Sequence, residues 1–215
     1  MQNFDIHTHF NTLGLLDISD NYTLKDKSKF FSIGIHPKKL NSIDELNKVL
    51  YEISDFVSDN KCAAIGECGL DKFSNLPLNI QEKIFIPQIE IAQNNHKPLI
   101  IHCVRLYNEV VRIIKQQKFN LPVVFHGFNA NSDTLKQLLK FDNFYFSVSE
   151  KILNEKNNIY KTLEFLPLKK LLIESDIDKN TDFQRLLTNI SMLKHEETNV
   201  VKKYIQNNFK KLLSI

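Results

Sequence analysis

Pro98-Leu99-Ile100-Ile101-His102, then Leu106, Val110, Val111 and Ile114, then Pro122-Val123-Val124-Phe125-His126: the stretch 98–126 decides the fold. Its two flanking runs are short and continuously apolar, the pattern of strands buried on both faces. The residues between them place their apolar side chains on one helical stripe. Strand, helix and strand in this order make a βαβ unit with parallel strands and a right-handed crossover.

The same alternation extends outward in both directions. Strands are predicted at 3–9, 14–18, 30–36, 62–67, 98–102, 122–126, 143–148 and 171–174. Helical patterns fall between the later ones. Ile43, Leu46, Leu50, Ile53 and Val57 follow Ser42-Ile43-Asp44-Glu45, which reads as a capping box. Ile80, Ile84, Ile91 and Ala92 mark a second helix, and Leu135, Leu138 and Leu139 a short one. Tyr160, Leu163 and Leu166 mark another, and the tail carries two more, around 183–190 and 200–213. With no internal repeat, low-complexity segment or linker, residues 1–215 read as a single α/β domain. The start is irregular. A parallel crossover takes about a dozen residues or more, yet no helix pattern lies between His9 and Phe30, so the second strand reads as frayed, antiparallel or missing.

Composition narrows the class. The chain has 215 residues, 42% of them hydrophobic and 25% charged, which suits a folded globular protein and not a disordered one. No apolar run approaches the ~20 residues of a membrane span, and Met1-Gln2-Asn3-Phe4-Asp5 does not read as a signal peptide. Three cysteines, Cys62, Cys68 and Cys103, at unrelated spacings give neither a disulfide framework nor a CxxC zinc pattern. The expected setting is reducing and cytoplasmic. A net charge of +3 neither announces nor forbids a nucleic-acid partner.

What ends each strand carries the functional signal. Asp5, His7 and His9 alternate onto one face of the first strand. Later strands end in His36, Glu67, His102, His126 and Glu174-Ser175-Asp176. A single histidine after an apolar run is ordinarily structural, but five of the seven histidines occupy such positions. Parallel strands that end in imidazoles and carboxylates direct them into the mouth of a (β/α) barrel, where catalytic groups of that fold sit. Imidazole and carboxylate without thiolate suit Zn²⁺, Mn²⁺ or Fe²⁺, with Mg²⁺ at carboxylate-rich positions. The candidate ligands exceed the needs of one tetrahedral ion with an open position, and two ions about 3.5–4 Å apart would use them all. Such a pair is hydrolytic machinery.

The ordered motifs resemble the TatD family of metal-dependent hydrolases, within the amidohydrolase-like superfamily. They are Phe4-Asp5-Ile6-His7-Thr8-His9, Gly34-Ile35-His36-Pro37, Ile65-Gly66-Glu67-Cys68-Gly69-Leu70-Asp71, Ile101-His102-Cys103-Val104-Arg105, Phe125-His126-Gly127-Phe128, Glu174-Ser175-Asp176 and Asn208-Phe209-Lys210-Lys211-Leu212. The resemblance spans nearly the whole chain. It implies a TIM-type (β/α) barrel, shortened or irregular around its first two βα units, because 215 residues is small against the ~250 typical of the fold. It implies one ion on His7, His9, Glu67 and Asp176, and a second on Glu67, His102 and His126. Asp176 matches the family's catalytic aspartate, which orients or deprotonates the attacking water, with Glu67 as the bridging carboxylate. His36 and Arg105 match positions beside the scissile phosphate, where a guanidinium fork pairs well.

The chain departs from the family pattern in loops. Ile177-Asp178-Lys179 replaces the Ser-Pro that ordinarily follows the terminal aspartate, and His126-Gly127-Phe128-Asn129-Ala130 replaces His-Cys-Phe-Thr-Gly. Lys72 displaces the aromatic after Gly-Leu-Asp, with Phe73 next. Asp5 and Asp71 read as structural or turn residues, and Glu174 as shared between that role and support of the site. The three cysteines read as small buried residues, His96 and His195 as surface. Lys38, Lys39, Lys72 and Lys151 read as solvated, and the phenylalanines as core with no stacking platform among them.

The function implied is a metal-dependent phosphodiesterase acting on DNA, with two divalent ions (Zn, Mn or Mg) and no membrane or obligate protein partner. The alternative on the same ligands is an ester or amide hydrolase, for instance an aminoacyl-tRNA deacylase or a cyclic amide hydrolase, because a metal pair polarises a carbonyl as readily as a phosphoryl group. A non-catalytic, metal-stabilised binding protein is the remaining reading.

Overall fold

In a computed structural model of the chain, which describes residues 4–10, 14–19, 29–39 and 46–213, most of the predicted apolar runs are strands. The chain packs as two units, Leu15–Val124 and Met1–Gly14 with Phe125–Ile215.

The Leu15–Val124 unit carries β1 (Leu16–Asp17), β2 (Phe31–Ile33), α1 (Leu46–Val57), β3 (Cys62–Asp71), α2 (Leu78–Asn94), β4 (Leu99–Val104) and α3 (Tyr107–Gln116). Its strands pair in parallel and in chain order, β1 to β2, β2 to β3 and β3 to β4. The start of β5 (Val123–Phe125) is reached where Leu99 N–H donates to Pro122 O at 2.9 Å. β1 is frayed but parallel, one of the outcomes expected for it. The capping box at 42–45 lies outside the described residues.

Two strands run further than predicted. β3 continues past Glu67 to Asp71, and β4 past His102 to Val104. Glu67 and His102 are therefore within strands and not at their ends. A register shift between Ile65 and Cys68 releases Glu67 from regular pairing. Glycine permits this close approach: a Cβ on Gly66 would collide with Ile100 O and one on Gly69 with His102 O, and both have φ above +130°.

α2 covers β3 with Ile84, Phe85 and Ile89 fully buried, each worth roughly 1.5–3 kcal/mol. Two buried glutamines on the same helix pin the strand ends. Gln81 accepts from Asp71 N–H at 2.8 Å and donates to Leu76 O at 2.8 Å. Gln88 accepts from Ile35 N–H at 2.7 Å and donates to Ile35 O at 3.3 Å.

The other unit carries β6 (Phe144–Val148) and β7 (Leu171–Ile173), which pair in parallel, with α4 (Ser132–Leu138), α5 (Asn158–Thr162), α6 (Phe183–Lys194) and α7 (Thr198–Leu213). Asn131 and Asp182 cap α4 and α6 through their side chains. The predicted strand at 3–9 is a correction. Among its described residues only Asp5 and Thr8 bridge, to Ile173 and Asp176, so this segment follows β7 without forming a continuous ladder. The Asp5 carboxylate accepts from the N–H and hydroxyl of Ser175 and from the His7 N–H. Asn208 on α7 donates to Leu168 O and Leu171 O, which ties the closing motif to the start of β7.

All three cysteines are free and buried, and His96 and His195 are exposed, as expected. No helix among the described residues is long and apolar enough to cross a membrane.

Candidate metal centre

Each unit gathers its own histidine and carboxylate cluster. In the Leu15–Val124 unit, His36, Glu67 and His102 present ligand atoms that all lie within 4.8 Å of one another. Glu67 Oε1 is 2.6 Å from His102 Nδ1 and 3.3 Å from His36 Nε2, and the two rings approach to 3.2 Å between His36 Nε2 and His102 Nδ1.

The far side of each ring is anchored, and differently. Lys38 N–H donates to His36 Nδ1 at 3.1 Å, so that nitrogen is an acceptor and the N–H of a neutral ring faces Glu67. His102 Nε2 instead meets Asp71 Oδ2 at 2.9 Å, so its N–H is held outward and Nδ1 faces the cluster. Asp71 also takes Lys38 Nζ at 2.8 Å and Phe73 N–H at 2.7 Å. Burial pushes the Asp71 carboxyl up, but Lys38, His102 and the Phe73 N–H together hold it below the usual carboxylate range. The reading of Asp71 as a turn residue is thus half of its role. Lys38, expected to be solvated, places its ammonium on a buried carboxylate, whereas Lys39, Lys72 and Lys151 are exposed.

Arg105 leaves β4 with φ +59°, a backbone conformation uncommon outside glycine. Its guanidinium lies over the Phe73 ring at 5.3 Å from the centroid.

In the other unit, His7, His126 and Asp176 have ligand atoms within 4.8 Å of one another. The His7 ring lies 4.5 Å from His126 and 5.0 Å from His9, centroid to centroid. Asp176 Oδ1 is 3.8 Å from His7 Nε2 and 3.9 Å from His9 Nε2. Like Arg105, Asp176 has a positive φ, +54°.

Behind this cluster stand two buried carboxylates. Glu174 accepts from Gly127 N–H at 2.7 Å and from the Ser147 hydroxyl, and its Oε2 is 3.7 Å from His126 Nδ1. Burial raises the Glu174 carboxyl, but His126, His7 and Ser147 outweigh it and leave the group below its ordinary value. Asp5 accepts from Ser175 N–H and Oγ–H, yet burial dominates and pushes it up to about 7. Ser147 was missed in the sequence, where an isolated serine in an apolar run carries no signal, and Ser175 was read only as part of the Glu174-Ser175-Asp176 motif, with no partner assigned.

The donor set fits divalent ions that prefer nitrogen and oxygen. Imidazole nitrogens and carboxylate oxygens converge in both clusters, and the neighbouring thiols of Cys68 and Cys103 are held protonated by burial. That suits Zn²⁺ or Mn²⁺, and Mg²⁺ where carboxylates dominate.

Comparison with known proteins agrees with this chemistry. A sequence profile of TatD-related DNases matches residues 6–214. An uncharacterized metal-dependent hydrolase of Buchnera aphidicola (subsp. Acyrthosiphon pisum) is 31% identical over 172 residues, covering 74% of this chain and 64% of that protein. A TATDN1 homolog of Enterocytozoon bieneusi is 31% identical over 153 residues, covering 66% of this chain and 53% of that one. The chain thus spans less than two thirds of the length of these curated relatives. The crystal structure of YjjV, a TatD homolog of Escherichia coli K12, superposes with a TM-score of 0.85 at 18% identity, covering 100% of both chains. At that identity the likeness concerns the fold, and it bears out the TIM-type α/β architecture in shortened form.

Proposed function

The chain belongs to the family of TatD-related DNases, and on that premise we propose that it is a cytoplasmic, metal-dependent phosphodiesterase hydrolysing DNA with two divalent ions. The proposed ligands are His7, His9, His126 and Asp176 in one unit and Glu67 and His102 in the other. The observation that carries this reading is the pair of clusters, His7, His126 and Asp176 in one unit and Glu67 and His102, with His36 beside them, in the other, whose ligand atoms in each case lie within 4.8 Å of one another.

Divalent ions held there supply positive charge to phosphoryl oxygens and lower the pKa of water. The remaining work falls to the chain's own groups. Asp176 orients the attacking water and takes its proton. His36, with an N–H facing Glu67, donates a hydrogen bond to a phosphate oxygen. Arg105 pairs with phosphate through its fork, which favours a phosphodiester over the ester or amide that the same ligands would otherwise serve.

The test is hydrolysis of single-stranded and duplex DNA by wild type and Asp176→Ala with Zn²⁺, Mn²⁺ or Mg²⁺ added. Expected are wild-type cleavage with at least one ion, a loss of about 10²-fold or more in the variant, and near two equivalents of metal in the loaded protein. Absence of wild-type cleavage with every ion, or an unimpaired variant, overturns the proposal.

A further inference from the structure

Phe73 is a large apolar side chain left 60% exposed, in a turn where exposure has no packing explanation. It is held there from two sides. Its N–H donates to Asp71 Oδ1 at 2.7 Å, and the next residue's hydroxyl, Ser74 Oγ, donates to Pro37 O at 2.7 Å. Leu76 N–H in turn donates to Ser74 Oγ at 3.1 Å. The ring is therefore an outward-facing aromatic on an ordered turn.

Two further observations connect it to the candidate metal centre. Asp71, which holds the Phe73 backbone, also holds the His102 ring through its other oxygen at 2.9 Å. Arg105, three residues beyond His102, lays its guanidinium over the Phe73 ring at 5.3 Å, within the range of a cation–π contact. Among the described residues no carboxylate stands within ion-pair distance of that guanidinium. With 60% of the residue exposed and a cation over the ring, much of the aromatic surface is left to solvent, where a second planar group can reach it.

We infer that Phe73 and Arg105 form a nucleotide subsite of single-stranded nucleic acid, in which the ring stacks on a nucleobase and the guanidinium pairs with an adjoining phosphate. The chemistry is that of single-strand recognition generally, where aromatic rings take bases irrespective of sequence and cations follow the backbone. Phe73 discriminates a nucleotide substrate from a small ester or amide, a distinction that the metal ligands do not make. The inference rests on the phosphodiesterase reading and deepens it.

The experiment uses the full-length chain with its metal, in an Asp176→Ala background so that oligonucleotides persist. The sequence contains no tryptophan, so Phe73→Trp installs a single fluorescent reporter at the ring. Probes are deoxyribo- and ribo-oligonucleotides and an abasic phosphodiester chain of equal length. Base-bearing probes are expected to quench the reporter and the abasic chain to leave it bright. Phe73→Ala and Phe73→Leu are expected to weaken binding of base-bearing probes about tenfold and to leave abasic binding unchanged. Arg105→Gln is expected to weaken all three. The stronger of the deoxyribose and ribose arms identifies the source of the base. An unquenched reporter, wild-type affinity in both Phe73 variants, or an equal loss for the abasic chain overturns the subsite. Hydrolysis by the otherwise wild-type protein is measured separately. If it is absent while quenching persists, the phosphodiesterase reading fails and the subsite stands; if it is present while the Phe73 variants bind normally, only the subsite fails.

Discussion

Asp71 Oδ2 lies 2.9 Å from His102 Nε2, and the same oxygen takes Lys38 Nζ at 2.8 Å. One buried carboxylate thereby decides which nitrogen of His102 faces Glu67. A carboxylate behind a ligating histidine fixes the ring's tautomer and orientation, and its removal ordinarily weakens metal binding about 10- to 100-fold. Asp71→Asn is expected to do so for Zn²⁺ or Mn²⁺ in a chelator competition while the folded structure persists. Lys38→Met should give a smaller loss, since it removes the neighbour of Asp71 and not the contact to the ring. Wild-type metal affinity in Asp71→Asn would disconnect His102 from the metal.

Glu67 depends on a glycine just past the end of the neighbouring strand β2. A Cβ on Gly34 would lie 2.8 Å from Gly66 Cα and 2.9 Å from Glu67 O, where backbone has no room to yield. Gly34→Ala is expected to destabilise the fold by about 1–3 kcal/mol through overpacking and to lower metal affinity by displacing Glu67. Urea denaturation alongside metal titration reads both, and an unchanged urea midpoint would contradict the steric argument.

Lys170 has a purely architectural task. Its buried ammonium donates to Phe141 O at 2.8 Å, Asp142 O at 3.0 Å and Phe144 O at 3.1 Å. Lys170→Met keeps the aliphatic stem and strands those carbonyls, with an expected loss of about 2–3 kcal/mol. Hydrolytic activity at a temperature well below unfolding should survive the change, because the lysine touches no candidate ligand.

Cys62 sets a limit at alkaline pH. Burial pushes its thiol from 9.0 up to about 11, with Lys97 opposing. Between those values the folded state binds more protons than the unfolded chain, so stability falls as pH rises. The contribution is whole below about pH 9 and is lost on the way to pH 11, a change of about 2–3 kcal/mol. Urea midpoints measured from pH 8 to 10.5 should decline more steeply in wild type than in Cys62→Ala. Parallel curves would refute the assignment.

Legibility differed sharply between parts of the molecule. The runs at 99–101, 123–125 and 171–173 are strands because Leu, Ile, Val and Phe in unbroken succession are buried on both faces. Their periodicity is local, so it is visible without a partner. The segment at 3–9 carries fewer such residues, and whether it forms a ladder or isolated bridges depends on β7, which lies more than 160 residues later. The lengths of β3 and β4 were underestimated for a related reason. Glycines at 66 and 69 and the register shift beside Glu67 let pairing resume beyond the polar residues taken as strand ends.

By itself, the sequence determined the alternation of strand and helix, the candidate imidazoles and carboxylates, and their order along the chain. These follow from burial periodicity and from the chemistry of individual side chains, which are properties of short segments. Only the tertiary structure decided what each polar group meets: Asp71 on His102 across 31 positions, Ser175 on Asp5 across 170, and the Arg105 guanidinium over the exposed Phe73 ring. A hydrogen bond or a ring contact forms at a separation of a few ångströms, and which distant residues come that close is set by strand register and helix packing together.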